Sequence, residues 1–128
     1  MAHILYIEPD RMIAATYGQG LLTQGHTVAH APTAQMAIHA ADRQTPDLVI
    51  VEVQLVEHSG VEFLYEFRSY PEWQQIPAII LSTVPPAEFS VSQELLKNEL
   101  GVRSYYYKPQ TKLAQLLTVV DELTAATV

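Results

Sequence analysis

The sequence contains no cysteine, and only 7 of its 128 residues are lysine or arginine. Without cysteine there is no disulfide framework, which fits a cytoplasmic location. The basic residues are scattered and are outnumbered by 14 acidic ones, for a formal net charge of −7, so we expect no direct nucleic-acid partner. No apolar run reaches membrane-spanning length, and the N-terminus lacks the basic region and cleavage site of a secretory signal, so we expect no membrane partner either.

The composition is that of a folded domain with a real core. Hydrophobic residues make up 48% of the chain and charged residues 16%, as in a compact globular protein and unlike a disordered segment. A chain of 128 residues is long enough for one core and too short for two. We therefore expect a single domain covering residues 1–128.

Apolar strands alternate with amphipathic helices five times along the chain. The strands are predicted at residues 3–7, 26–30, 48–53, 76–81 and 104–107, and the helices after an N-cap at Asp10 and at 33–43, 60–68, 90–100 and 111–125. Pro9 ends the first strand because proline has no N–H to donate, and Gly101 suits a helix C-terminus. On the second helix, Met36, Ala37 and Ala40 are predicted to face inward.

The pattern of elements favours one fold class. Continuous apolar strands bounded by helices indicate a parallel sheet that is covered on both faces. Right-handed crossovers then favour the flavodoxin-like order 2-1-3-4-5. We predict an α/β protein, a doubly wound (βα)5 sandwich with a five-stranded parallel sheet.

Glu52 is the most informative residue because it ends the apolar run of the third strand. A carboxylate costs several kcal/mol to bury unpaired, so this one is expected at the sheet edge for a reason. The carboxyl ends of parallel strands meet at one rim, which is where ligands bind in such sheets. Other strands bring further polar or turn residues to the same rim: Glu8, Pro9 and Asp10 after the first, Ser82 and Thr83 after the fourth, and Lys108 and Pro109 after the fifth.

Five segments in this order carry a resemblance to a known family. They are ILYIE at 4–8, PDLVIVE at 46–52, SGVEFL at 59–64, IPAIILS at 76–82 and YYYKP at 105–109. Together they resemble the response-regulator receiver domain of two-component signalling, over nearly the whole chain. In that family an aspartate ending the third strand accepts a phosphoryl group from a histidine kinase, two acids after the first strand hold Mg²⁺, and a lysine and a hydroxyl contact the phosphoryl oxygens.

The resemblance implies a role for each residue of the rim. Glu52 takes the phosphoacceptor position, Glu8 and Pro9 match the acidic pair with Asp10 beside them, Ser82 and Lys108 match the phosphate contacts, and Tyr105 matches the aromatic switch position. For Ser82, a purely structural place at the end of its strand is an equal alternative. For Asp10, capping of a helix is favoured over replacing the missing metal ligand.

Two positions depart from the family pattern and affect the same chemistry. Pro9 has no side-chain oxygen, and Mg²⁺ requires near-octahedral oxygen ligands. Glu52 is one methylene longer than aspartate, a displacement of roughly 1 Å that can cost about a hundredfold in rate. We therefore expect weak or absent Mg²⁺ binding, no other cofactor, and no phosphorylation of the usual kind. The chain is predicted to be a degenerate receiver, or pseudo-receiver, and not an enzyme.

Lys108 is expected to reach across the rim and form an ion pair with Glu52, in preference to being solvated. Such a pair contributes about 0–1 kcal/mol if it is exposed. The bond between Lys108 and Pro109 is also a candidate cis peptide, as in the family.

Tyrosines at 105–107 place aromatic side chains beside the last two helices, a face that receivers commonly use for partners, and tyrosine is enriched in interfaces. We expect a histidine kinase or an output partner to bind this helix 4–strand 5–helix 5 face. A homodimer through the Tyr105 face is left open, as are two other functions: a receiver that accepts phosphate at Glu52, and a small α/β enzyme or ligand-binding protein that uses the rim pocket.

Overall fold

A five-stranded parallel sheet with the order β2-β1-β3-β4-β5 forms the centre of the molecule. The structure is a computed structural model that describes residues 2–88 and 93–125. The strands are β1 His3–Ile7, β2 Thr27–Ala31, β3 Leu48–Val51, β4 Ala78–Ser82 and β5 Val102–Tyr107. The predicted fold class and strand order are both confirmed.

Five α-helices within the described residues cover the two faces of the sheet. They are α1 Arg11–Thr23, α2 Ala34–Arg43, α3 Gly60–Arg68, α4 Gln93–Asn98 and α5 Leu113–Thr124, with short 3₁₀ helices at Pro71–Trp73, Pro86–Glu88 and Lys108–Gln110. One core cluster lies between the sheet and α2, α3 and α4, and the other between the sheet and α1 and α5. Nowhere in 2–88 and 93–125 is a helix both long and apolar enough to cross a membrane.

Several element boundaries agree with the sequence prediction. β1 and α3 begin and end at the predicted residues, and Asp10 caps α1 by accepting from the N–H groups of Met12 at 2.9 Å and Ile13 at 3.1 Å. The predicted start of the fourth helix at 90–92 lies outside the described residues. Gly101 has a φ of +67°, the left-handed conformation expected at a helix C-terminus.

β3 ends two residues earlier than predicted. Its partner β1 stops at Ile7, whose carbonyl accepts the last ladder bond from the Glu52 N–H at 3.0 Å. Beyond Ile7 the chain turns at Pro9 towards α1, so β3 has no further pairing partner on the β1 side. Glu52 is therefore the first residue after the strand, at the rim itself.

Two predictions of local structure are wrong. Met36 is 52% exposed, because the inner face of α2 is formed by its alanines at 34, 37, 40 and 41 and position 36 then turns outward. The Lys108–Pro109 peptide bond is trans, and the chain continues from it directly into the 3₁₀ turn that precedes α5.

Gly60 allows α3 to begin directly against the segment that carries Glu52. An added Cβ would overlap the backbone oxygen of Glu52 and lie 2.9 Å from the Cα of Val53. The Gly60 N–H also donates to the Val53 carbonyl at 2.8 Å. Because the obstructing atoms are backbone, they cannot move aside without shifting the rim.

We expect Gly60→Ala to lower the free energy of unfolding by about 1–3 kcal/mol, the usual cost of overpacking. Gly18→Ala is the matched control, because a Cβ at that helical position meets no atom within 4 Å. In the control, the higher helix propensity of alanine is expected to raise the free energy of unfolding by about 0.5–1 kcal/mol. Urea denaturation measures both, and equal stabilities would contradict the close approach at Gly60.

Candidate functional site

Four polar side chains from four strand ends meet in one buried cluster at the rim. Glu8, Glu52, Ser82 and Lys108 are 2%, 2%, 0% and 9% exposed, respectively. They follow or end β1, β3, β4 and β5, which lie side by side in the sheet. The expected convergence at the carboxyl edge of the sheet is confirmed for these four residues.

Lys108 lies between two carboxylates. Its Nζ donates to Oε1 of Glu52 at 2.8 Å and makes an even closer ion pair with Oε1 of Glu8. The predicted pair with Glu52 is therefore confirmed, but it is buried, and Glu8 is a second partner that was not predicted. The three side chains carry a combined formal charge of −1.

Both oxygens of Glu52 are fully used in hydrogen bonds. Oε1 accepts from Lys108 and from the N–H of Thr83 at 3.2 Å. Oε2 accepts from the N–H of Gln54 at 3.1 Å and from the hydroxyl of Ser82. Ser82 therefore contacts the Glu52 carboxylate directly, in addition to its place in the strand. Four donors hold this carboxylate in one orientation.

The hydrogen bonds keep both partners of the central pair charged. Burial acts to raise the pKa of Glu52, but the bonds from Lys108, Ser82 and the Gln54 N–H outweigh it, so the pKa is lowered. Burial acts to lower the pKa of Lys108, but its bonds to Glu52 and Glu8 outweigh it, so the pKa is raised. The contribution of Glu52 to stability is lost as the pH falls through its depressed pKa, and that of Lys108 as the pH rises through its elevated pKa.

The residues at the rim do not suit Mg²⁺. Pro9 offers no side-chain oxygen, and the ammonium of Lys108 occupies the space between the carboxylates of Glu8 and Glu52. Oδ1 of Asp10 accepts two helix N–H groups, so the capping role favoured for this residue is the one observed. In the part of the chain that the structure describes, no three acidic or histidine side chains converge to hold a metal. A cation would have to displace Lys108 and would still lack a side-chain oxygen at position 9.

Tyr105 is connected to the buried cluster through one residue of the β4–α4 loop. Its hydroxyl donates to the carbonyl of Val84 at 2.6 Å, and the Val84 N–H donates to the Ser82 Oγ at 3.0 Å. Since Ser82 in turn donates to Glu52, a continuous path of hydrogen bonds joins Glu52 to the fifth strand. Burial raises the pKa of the Tyr105 hydroxyl.

His30 holds the Glu8 backbone and was not among the predicted site residues. Nε2 of His30 donates to the carbonyl of Glu8 at 2.8 Å, and the Glu8 N–H donates to the Ala31 carbonyl at 3.1 Å. His30 lies opposite Tyr6 in the β1–β2 register. Only that register places it near Glu8, so no local motif could have identified it.

Comparison with known families and curated proteins gives a consistent result. The sequence profile of the response regulator receiver domain matches residues 4–121. The KDP operon transcriptional regulatory protein KdpE of Escherichia coli is 28% identical over 109 residues, which cover 85% of this chain and 45% of that protein. The transcriptional regulatory protein KdpE of Mycobacterium tuberculosis is 30% identical over 129 residues, covering 98% of this chain and 54% of that protein. The chain spans about half the length of these two relatives.

Solved structures agree on the fold. A putative response regulator from Chloroflexus aurantiacus superposes with a TM-score of 0.82 at 21% identity, covering 97% of this chain and 98% of that one. The chemotaxis response regulator CheY4 of Vibrio cholerae superposes with a TM-score of 0.82 at 21% identity, covering 96% and 98%. At such low identity the structural likeness speaks for the fold alone.

Proposed function

The chain belongs to the response regulator receiver family of two-component systems, and we propose that this member acts by binding other proteins without being phosphorylated at Glu52. It is a pseudo-receiver in this proposal, a cytoplasmic signalling module that is not an enzyme and works without Mg²⁺. The single observation that carries the proposal is the ammonium of Lys108 held between Glu8 and Glu52.

The hydrogen bonds of Glu52 support this proposal because phosphoryl transfer depends on a positioned and accessible nucleophile. Each oxygen of Glu52 already accepts two hydrogen bonds, and the residue is only 2% exposed. An attack on a phosphodonor would require at least one of these bonds to break inside a buried site. The same transfer would need charge neutralisation by a metal, and the residues at the rim do not suit one.

The charge of the cluster supports a permanent conformational state. An aspartyl phosphate carries roughly −1.5 to −2 charges in place of the −1 of the free carboxylate, and this difference comes and goes with signalling. The Glu52 carboxylate and its partner Lys108 are instead parts of the folded chain. Hydrogen bonds through Ser82 and Val84 connect them to Tyr105, so in this proposal the face beside β5 keeps one form.

The partner face in this proposal is formed by α4, β5 and α5. Tyr105 packs against the core cluster beneath α4, and Tyr106 against the cluster beneath α5, so part of the tyrosine series fills the sheet–helix layers. All three tyrosines remain partly exposed. A histidine kinase or an output protein is the class of partner that the family implies for this face.

Incubation with acetyl phosphate and Mg²⁺ followed by intact-mass measurement tests the proposal. We expect no gain of one phosphoryl group. We also expect Mg²⁺ with beryllofluoride to leave the melting temperature unchanged, since a ligand stabilises only a protein that binds it. A phosphoryl group recovered in good yield on Glu52 would eliminate the pseudo-receiver function and establish a working receiver.

A further inference from the structure

One long stretch of this acidic protein is almost free of charge. Residues 11–41 contain no aspartate or glutamate, and Arg11 is their only lysine or arginine, although the whole chain has 14 acidic residues. This stretch forms α1, β2 and most of α2. The negative charge therefore lies on the other elements, and one side of the molecule is nearly neutral.

The exposed face of α1, within this neutral stretch, carries uncharged side chains at a regular spacing. Met12, Ala15, Gln19 and Leu22 are all exposed, and their spacing of three, four and three residues is that of the contact positions in a pair of packed helices. Met12 is 81% exposed and Leu22 is 51% exposed. The opposite face of α1 packs on the sheet through buried residues of its own, Ala14 and Leu21. A helix that is apolar on both faces is normally covered on both.

A groove lies beside this pattern, between α1 and α2. Its volume is about 630 Å³, and its lining includes Gly18, Leu22, Val28 and Met36. A Cβ at Gly18 would meet no atom within 4 Å, so the groove is open at its middle. Met36 is 52% exposed at its border. The surface thus offers protruding apolar side chains next to a space that could receive them.

We propose that α1 is the contact helix of a homodimer in which two copies of α1 pack antiparallel about a two-fold axis. A second copy is favoured as the occupant because two molecules of net charge −7 repel each other except where their neutral sides meet. A two-fold interface also requires a self-complementary patch. In the antiparallel arrangement Met12 faces Leu22 of the second copy, and Ala15 faces Gln19 of the second copy.

The antiparallel direction follows from the position of Arg11. A parallel pair would bring the two Arg11 side chains and the two positive helix N-termini together. In the antiparallel pair each Arg11 lies near the C-terminus of the other α1, where the helix dipole favours a cation. This dimer leaves the Tyr105 face free for a partner, so we place self-association on α1 and not on the Tyr105 face. It is independent of whether Glu52 accepts phosphate.

Sedimentation velocity over a range of concentrations tests the dimer. We expect reversible dimerisation of the unmodified protein and at least about a tenfold weaker association for Met12→Glu, because the change places a carboxylate in the contact. Glutamate suits the first turn of a helix, so the variant should fold. Val56→Glu adds the same charge at a residue that is 63% exposed and outside α1, and it should associate as the unmodified protein does. A protein that stays monomeric up to about 1 mM, or equal weakening by both variants, overturns the proposal.

Disulfide cross-linking tests the direction of the helices. Because the sequence has no native cysteine, only the introduced cysteines can form disulfides. Ala15→Cys and Gln19→Cys proteins are mixed in equal amounts and oxidised with diamide. The antiparallel pair predicts that the mixed disulfide exceeds the half share expected from random pairing. A random or smaller share of the mixed species would rule out this arrangement.

Discussion

Replacing Lys108 with methionine should lower the free energy of unfolding by about 3–5 kcal/mol at pH 7, the cost of removing one partner from a buried charge network. Methionine retains most of the length and packing of the lysine stem. What it removes is the cation between Glu8 and Glu52, each of which is 2% exposed. Two buried carboxylates of like charge would then face each other without compensation from Lys108.

The pH dependence of this loss separates electrostatics from packing. In the variant, one of the two carboxylates can become neutral by taking up a proton, so the deficit relative to the unmodified protein should shrink as the pH falls towards about 4. It should also shrink at high pH, where the unmodified protein loses the Lys108 proton through its raised pKa. Urea denaturation at several pH values measures the deficit on both the acidic and the basic side.

Lys112→Met is the control for this experiment, because it removes the same charge from an exposed residue four positions away. It is expected to change the free energy of unfolding by no more than about 0.5 kcal/mol. A similar loss for both variants, or a deficit at Lys108 that does not change with pH, would contradict the bridging role of Lys108.

The double variant Pro9→Asp with Glu52→Asp should convert the rim into a site that binds Mg²⁺ and accepts a phosphoryl group. The change at position 9 adds a carboxylate beside Glu8, and the shorter side chain at position 52 withdraws by roughly 1 Å from Lys108 and Ser82. We expect Mg²⁺ to raise the melting temperature of the variant, and labelling by acetyl phosphate to be at least about a hundredfold faster than in the unmodified protein. Intact-mass measurement over time gives the rates.

The two single variants are the matched controls for this gain. Pro9→Asp alone leaves the Glu52 carboxylate in its four hydrogen bonds, and Glu52→Asp alone still lacks the oxygen at position 9. Each single variant should therefore recover less Mg²⁺ binding and less phosphoryl labelling than the double variant. Such a non-additive effect is expected between neighbouring residues. If no single or double variant recovers metal binding, the placement of the site at this rim is wrong.

The sequence alone was sufficient for the fold and for the location of the site. Apolar runs such as 48–51 identify strands, and the helices between them leave right-handed crossovers and the order 2-1-3-4-5. Once the strands are parallel, their carboxyl ends must share one edge, so Glu8, Glu52, Ser82 and Lys108 had to be neighbours. These conclusions rest on local periodicity and on topology, both of which can be read along the chain.

The tertiary structure decided how the neighbours bond and which surfaces remain free. Lys108 was predicted to pair with Glu52, but its closer contact with Glu8 depends on strand register and side-chain reach, which no spacing encodes. The backbone donors of Gln54 and Thr83 lie just beyond the ends of β3 and β4, so their positions depend on where those two strands end. Likewise, the exposure of Met36 follows from how α2 packs on the sheet. Helical periodicity shows which residues share a face, but only packing decides which face is buried.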